Sequence, residues 1–358
     1  MRVKVSILGH FGEGVKLLNG QTVKTKIITE ELHNQLGQDQ VLKIDTHGGW
    51  KTLLKAPFQV FRALKNSTDV LIFPAHNGLR VYAPLLSFVK IFFKKRKIHY
   101  VVIGGWLPQF LMQRKCLTKI LRNFDGIYVE TNTMKSALEA QGFENIYVMP
   151  NCKKLTVLSE NELVYPSGTP YKLCTFSRVM KEKGIEIAVD AVKKVNEQLG
   201  YTAYSLDIYG QIDAKQTAWF DNLKKSFPNY IRYGGVVPFD KSVEVLKEYF
   251  ALLFPTYYDG EGFAGTLIDA YSAGIPVIAS DWKYNPELVN ESIGYVYATG
   301  YPHALVNILK SAATHPDILL SKKTLCLTEA EKYRIDQAVQ VLIEQIEHQL
   351  VAQGETIA

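Results

Sequence analysis

Short β-branched and aromatic runs alternate with longer stretches of helical period along the whole chain, the pattern of βα units that build parallel sheets. In the front half the runs predict strands at Val3–Leu8, Val41–Asp45, Val70–Ala75, Tyr100–Gly104, Gly126–Glu130 and Ile146–Met149. Helical stretches fall between them, among them Val23–Gln35, Ala56–Lys65 and Thr133–Ala140. Residues 1–155 are thus expected to form one doubly wound, Rossmann-like α/β domain. The alternation breaks over 156–170, a polar segment ending Pro166-Ser167-Gly168-Thr169-Pro170, which reads as a linker. It restarts with strands expected at Leu173–Ser177, Ser205–Tyr209, Ile231–Gly234, Ala251–Pro255, Pro276–Ser280 and Tyr295–Ala298, a second α/β domain over 171–327. The tail, 328–358, carries Ile335, Ala338, Val339, Leu342, Ile343 and Ile346 in a one-sided helical stripe, expected to pack back towards the first domain. Two such domains are expected to face a cleft, with ligands at the carboxyl ends of the strands, so function is sought in the loops that follow them.

Composition narrows the classes. With 358 residues, 47% apolar and 21% charged, the chain is globular and long enough for two domains, which excludes disordered and fibrous proteins. Its four cysteines lie far apart with no Cys-x-x-Cys pair, against a disulfide framework or zinc knuckle and in keeping with a cytoplasmic protein. The alternating N-terminus does not read as a signal peptide. The longest apolar stretch, Val81–Phe93, is broken by Lys90 and falls short of the roughly 20 residues of a membrane span. Charge is uneven: the first 150 residues carry +11 and the remainder −5, and the segment between Asp69 and Asp125 holds ten basic residues and no acid. That asymmetry points to an anionic partner.

Three loops carry candidate chemistry. Gly9-His10-Phe11-Gly12-Glu13-Gly14, running on to Asn19-Gly20-Gln21-Thr22, is a glycine-rich turn after the first strand whose amides suit an anion. Phe176-Ser177-Arg178-Val179-Met180-Lys181-Glu182-Lys183-Gly184 follows the first strand of the second domain. Arg178 supplies a planar fork and Lys183 a point charge, the two kinds of donor a diphosphate takes. The third runs from Tyr257 through Glu261, Gly262, Phe263, Ala264, Gly265 and Thr266 to Asp269 and on to Gly274-Ile275-Pro276-Val277, a glycine-rich turn leading into a helix whose positive end suits phosphate. Counted as helical positions, Glu261 and Asp269 stand about 80° apart, on neighbouring sides, where carboxylates accept hydrogen bonds from sugar or ribose hydroxyls.

These residues carry a family resemblance. The chain resembles, over nearly its whole length, a retaining glycosyltransferase of the GT-B fold, family 4 (group 1) type. Its Glu-x7-Glu motif ahead of Ala-x-x-x-Gly-x-Pro-Val is matched by Glu261-x7-Asp269 with Ala270, Gly274, Pro276 and Val277, with aspartate in the second acidic position. The resemblance implies that Glu261 contacts donor-sugar hydroxyls, that Asp269 meets the nucleotide ribose, and that Arg178 and Lys183 hold the donor diphosphate. It likewise assigns Gly210 to the end of the next strand, Gly235 and Val236 to the neighbourhood of the base, and Gly20 and Gln21 to the first loop near donor phosphate and acceptor. Pro150-Asn151 resembles the family's Pro-Asn-Gly, with Cys152 replacing the glycine. Many members end the fourth strand on a histidine where this chain reads Ile103-Gly104-Gly105-Trp106, which leaves His76 and His10 as the candidate catalytic histidines. No Asp-x-Asp occurs, and no metal is expected to be required.

The run Leu85–Lys97 joins a large apolar content to a cationic end, which suits either a helix touching anionic lipid or a buried helix with a solvated end. The reading that follows is a cytoplasmic enzyme, peripheral on the membrane, moving sugar from a nucleoside diphosphate sugar to a glycan or lipid-linked saccharide with retention, in bacterial surface polysaccharide synthesis. Alternatives are another nucleotide-sugar enzyme of the same fold, such as an epimerase, or a basic nucleic-acid-binding protein. The last is disfavoured because it leaves Arg178 and Glu261 without a task, and no nucleic acid is expected among the partners.

Overall fold

The computed structural model describes residues 3–12, 14, 20–49, 52, 54–154, 156–301 and 303–352, with side chains through residue 347. The chain divides into two units, Met1–Lys154 with Ile335–Ala358, and Leu155–Arg334. In the first, β1 (Val3–Gly9), β2 (Val41–Asp45), β3 (Ser67–Ile72), β4 (Lys97–Val101), β5 (Gly126–Val129) and β6 (Ile146–Val148) form a sheet ordered β2-β1-β3-β4-β5-β6. The second holds β7 (Tyr171–Phe176), β8 (Tyr204–Tyr209), β9 (Ile231–Gly235), β10 (Ala251–Phe254), β11 (Val277–Ser280) and β12 (Gly294–Tyr297), ordered β12-β11-β10-β7-β8-β9. Every strand pairing is parallel. The helices used below are α1 (Gly20–Leu36), α2 (Ala56–Asn66), α3 (His76–Lys90), α4 (Leu107–Met112), α5 (Ile185–Leu199), α6 (Gly265–Ser272), α7 (Lys323–Glu331) and α8 (Gln340–Ala352).

All twelve expected strands form; a parallel sheet covered on both faces demands near-continuous apolar runs, and β5, β10 and β11 are buried at every position, while the edge strands β2 and β9 keep exposed positions. Two strands start earlier than their hydrophobicity suggests. β3 begins at Ser67 and β4 at Lys97, because Ser67, Asp69 and His99 take part in the ladder while burying paired polar groups. Ser67 Oγ donates to the Ala63 carbonyl at 2.8 Å, and His99 Nε2 lies 3.1 Å from Asp69 Oδ1. α1 likewise starts at Gly20, ahead of the expected Val23, and buries Lys24 against Glu130 at 2.7 Å.

The expected linker and tail are redistributed. Residues 156–170 group with the second unit, where the Leu158 N–H donates to the Ser272 carbonyl at 2.9 Å. The helical stripe of the tail is cut into α7, a single turn at Ile335–Ala338, and α8. The units change at Arg334–Ile335, past the expected 328, because Cys326, Leu327 and Ala330 are buried within the second unit. Ala338, Val339, Leu342, Ile343 and Ile346 instead join the first unit's core with Val5, Ile7, Ile28 and Leu32.

Leu342 is fully buried in that core. Leu342→Ala is expected to destabilise the first unit by about 2–5 kcal/mol, read by urea unfolding. A change below about 0.5 kcal/mol, the range of a surface substitution, would show that the terminal helix is not part of the core.

Candidate active site

In each sheet the strand order turns around one pair of neighbours, β1 with β3 in the first unit and β7 with β10 in the second. Connections leaving such a pair diverge to opposite faces and open a crevice at the carboxyl ends. In the second unit the loops that flank it are 177–184, after β7, and 255–264, after β10. The sequence motifs with Arg178, Lys183 and Glu261 are therefore brought together by topology.

Gly184 fixes how closely these loops approach. Its φ of 72° is left-handed, and a Cβ there would run into the Pro255 carbonyl, so only glycine fits without displacement. The Tyr257 N–H donates to the Glu182 carbonyl at 2.8 Å across the same seam. Lys183 Nζ then lies 2.5 Å from Glu261 Oε2, with the two side chains 10% and 7% exposed. Thr256 Oγ1 donates to the same carboxylate oxygen at 2.7 Å. The ammonium also sits 5.1 Å from the Tyr258 ring centre and 5.8 Å from that of Phe254. Arg178 is held far less: its guanidinium is half exposed, 3.7 Å from Asp213 and 5.7 Å from the Tyr258 ring centre.

Gly210 and Gly235 line up beside this seam. The Gly210 N–H donates to the Gly235 carbonyl at 2.9 Å, and at φ 135° a Cβ on Gly210 would strike the Ser177 carbonyl. Gly235 has φ 82° and open space around it, and Val236 is exposed.

The two acids do not share a helix as their spacing suggested. α6 begins at Gly265, because Glu261 belongs to the preceding turn and its N–H donates to the Tyr258 carbonyl at 3.0 Å. Both are buried, but only Asp269 is helical, and it receives a 2.8 Å hydrogen bond from Ser242 Oγ. Between them Gly262 is buried, Phe263 is buried edge-on against Tyr333 with ring centres 4.7 Å apart, and Ala264 caps the helix. Thr266, in the first turn, has a buried hydroxyl with no hydrogen-bond partner among the described residues. A buried hydroxyl at a helix start can exchange a hydrogen bond with a ligand oxygen.

In the first unit the β1 and β3 ends carry the histidines. His10 Nδ1 lies 2.8 Å from Thr22 Oγ1 and its Nε2 lies 2.8 Å from His47 Nδ1, so the two rings are within hydrogen-bond distance of each other. Burial and the His47 ring lower the His10 pKa below its ordinary value. Asp45 Oδ1 accepts from the N–H groups of Phe11, Gly12 and His47. Gln21 Nε2 donates to the Phe73 carbonyl at 3.0 Å, next to Gly20 at the start of α1. His76 opens α3, stacked on Trp106 with ring centres 3.8 Å apart and edge-on to Phe110 at 5.0 Å. Arg114 covers the Phe110 ring at 3.8 Å and Arg80 lies 5.7 Å from it. Burial and then Arg114 and Arg80 lower the His76 pKa. His76 is thus part of an aromatic and cationic platform, with no carboxylate in the set to orient it as a base.

Sequence reasoning missed Thr256, Ser242 and His47. Each is a single residue outside any motif, and only the fold carries it to its partner. Among the described residues no three His, Cys, Asp or Glu side chains gather as a metal site.

Comparison with known proteins places the second unit. Residues 170–315 match the family Glycosyl transferases group 1. That span contains Arg178, Lys183, Gly210, Gly235, Glu261 and Asp269, so the ion-paired seam between β7 and β10 lies wholly inside the glycosyl transferases group 1 match. The amylovoran biosynthesis glycosyltransferase AmsK of Erwinia amylovora is 28% identical over 146 residues, 39% of this chain and 35% of that protein. The UDP-N-acetylglucosamine--peptide N-acetylglucosaminyltransferase GtfA subunit of Streptococcus agalactiae is 26% identical over 219 residues, 60% of this chain and 42% of that one. The chain spans less than half the length of either relative. The crystal structure of Anabaena HepE in complex with UDP aligns with a TM-score of 0.71 at 12% identity, covering 97% of this chain and 100% of that one. The fold is GT-B.

The Lys183–Glu261 pair makes a specific demand on stability. Glu261→Ala leaves a buried ammonium without its counter-ion and is expected to cost about 3 kcal/mol in denaturant unfolding, as is Lys183→Ala. The double variant Lys183→Met/Glu261→Leu is expected to return to within about 1 kcal/mol of the parent. Losses that simply add in the double variant would show that the two groups are not coupled.

Proposed function

We propose that the chain is a retaining glycosyltransferase that takes sugar from a UDP-sugar and delivers it to a glycan or lipid-linked saccharide acceptor. The observation that carries this reading is the seam between β7 and β10, where Lys183, Glu261 and the loosely held Arg178 meet the start of α6. A nucleoside diphosphate leaving group needs its growing charge neutralised by groups already in place. Arg178 offers a half-exposed planar fork held only loosely by Asp213, and Lys183 keeps two N–H donors beyond the one given to Glu261. The N-terminus of α6, with the unpartnered Thr266 hydroxyl, offers further donors.

In this reading Glu261 receives donor-sugar hydroxyls and Asp269, held by Ser242, the ribose. The acceptor hydroxyl attacks the anomeric carbon from the face the diphosphate leaves. A C–O bond to the acceptor forms, the bond from that carbon to the phosphate oxygen breaks, and a phosphate oxygen takes the acceptor proton, so UDP departs and configuration is retained. No separate base is required, which leaves the His76–Trp106–Phe110 platform, with Arg80 and Arg114, to stack an acceptor sugar ring. The hydrogen-bonded His10–His47 pair and Gln21 serve the same acceptor side. Charge is carried by side chains and the helix end, so catalysis is proposed to need no metal.

The relatives support the donor and the setting. GtfA is named for UDP-N-acetylglucosamine, HepE was crystallised with UDP, and AmsK is named for biosynthesis of the polysaccharide amylovoran. Surface polysaccharide assembly at the cytoplasmic face of a membrane is the proposed setting. No described helix is long and apolar enough to cross a membrane, while Phe88, Ile91 and Phe92, in the Leu85–Lys97 run, are exposed.

A thermal-shift panel of UDP, GDP, ADP, CMP and dTDP sugars, each with and without EDTA, tests the donor. UDP-sugars are expected to raise the melting temperature, equally with EDTA, and Arg178→Ala to remove the shift. Glu261→Gln, which keeps the shape of the side chain, is expected to lower turnover on the order of 10²-fold. No shift with any nucleotide sugar would sink the reading.

A further inference from the structure

We infer that the first unit holds a second anion site, a pocket between β2 and α2 that takes the phosphate of a lipid. The cavity is about 520 Å³ and is lined by Lys43, Asp45, Lys55, Phe58, Gln59 and Arg62 together with Ile44. Lys43 comes from β2, and Lys55, Gln59 and Arg62 fall at spacings of four and three, on one face of the helical turn that begins α2.

The charges do not cancel. No described carboxylate pairs with Lys43, Lys55 or Arg62. The one acid lining the pocket, Asp45, already accepts three backbone N–H groups on Oδ1. Gln59 is fixed as well: its Nε2 donates to the Asp45 carbonyl at 2.9 Å and its Oε1 accepts from the Tyr82 hydroxyl at 2.6 Å. Three unpaired cations, one of them a guanidinium fork, match a group of two or more negative charges, a phosphomonoester or diphosphate, better than a single carboxylate. The volume is that of a ligand pocket, so the phosphate carries a larger body.

The surroundings say what that body is. Phe58 is 81% exposed, Leu54 70% and Phe61 49%, on the same segment as the cations. The Phe61 ring meets Phe93 edge-on at 5.7 Å, which joins this face to the exposed Phe88, Ile91 and Phe92 at the end of α3. Scattered exposed apolar residues are ordinary, but six on two packed helices and the turns flanking them, edged by Lys94 and Lys95, form a patch that water does not favour and an anionic bilayer does. An anion pocket opening within an apolar, cation-edged face fits an amphiphile whose phosphate enters the pocket while its hydrocarbon stays in the bilayer. The inference deepens the acceptor side of the proposed reaction and rests on that reading only for the role of the bound lipid; binding itself needs no donor.

Flotation with phosphatidylcholine vesicles carrying phosphatidic acid, or phosphatidylserine at matched surface charge, tests it without nucleotide. The parent is expected to bind the phosphomonoester vesicles roughly tenfold more tightly. Lys55→Ala/Arg62→Ala is expected to lose that preference with its circular dichroism and melting temperature unchanged, whereas Lys94→Glu/Lys95→Glu weakens binding to both lipids and keeps the preference. Equal binding to the two lipids, or a preference that survives Lys55→Ala/Arg62→Ala, would overturn the site. Inorganic phosphate that competes away the preference at micromolar concentration would overturn the lipid as its source and leave a free-phosphate site.

Discussion

The contact between Lys183 and Glu261 is the constraint around which the second unit is arranged. Two full charges withdrawn from water cost several kcal/mol each unless geometry and additional hydrogen bonds offset the loss. Here a 2.5 Å ion pair, the Thr256 hydroxyl and the faces of two aromatic rings surround them. That environment exists only because β7 and β10 are neighbours while their outgoing connections diverge. The loops then have to touch, and the missing side chain at Gly184 lets the backbone of one rest on the Pro255 carbonyl of the other. Strand order, one glycine and one threonine are thus conditions of a single ion pair.

How much of this was legible in the sequence follows from what each feature is made of. Strands buried on both faces announce themselves as apolar runs, and all twelve were readable. Their ends were not where polar residues join the ladder, as Ser67, Asp69 and His99 do, because the strands they pair with, and the Asp69–His99 contact, lie far away in sequence. Arg178, Lys183 and Glu261 were legible as motifs, but their union depends on strand order, which pattern does not encode. The helical reading of Glu261 and Asp269 failed for a local reason: the turn through Gly262 and Ala264 delays the helix to Gly265. Thr256 and His47 gave no signal, since each matters only through one distant or neighbouring partner.

The two units use charge in opposite ways. In the second, the cations at the seam face acids, Lys183 with Glu261 and Arg178 with Asp213, and the field beyond a few ångströms is small. In the first, Lys43, Lys55, Arg62 and Arg80 have no described acid partner, and the excess of +11 over its first 150 residues is left to the solvent side. A paired site binds an anion by exchange of partners at short range, whereas an unpaired surface draws anions from a distance set by the Debye length. In the proposed reaction, a soluble donor and a surface-bound acceptor are the two ligands that such a division suits.

Within the proposed reaction the two donor-side cations are not equivalent. Lys183 is immobilised before any ligand arrives, and an ammonium bonded once to Glu261 still has donors for a phosphate oxygen, so it contributes without reorganisation. Arg178, half exposed and 3.7 Å from Asp213, has to give up side-chain freedom when it closes on a diphosphate. Loss of Arg178 therefore removes mainly binding and leaves the fold alone, while loss of Lys183 strips Glu261 of its partner and disturbs the sugar pocket along with the phosphate. The residue that stabilises the fold and the residue that grips the ligand sit five positions apart on one loop, and burial is what separates their roles.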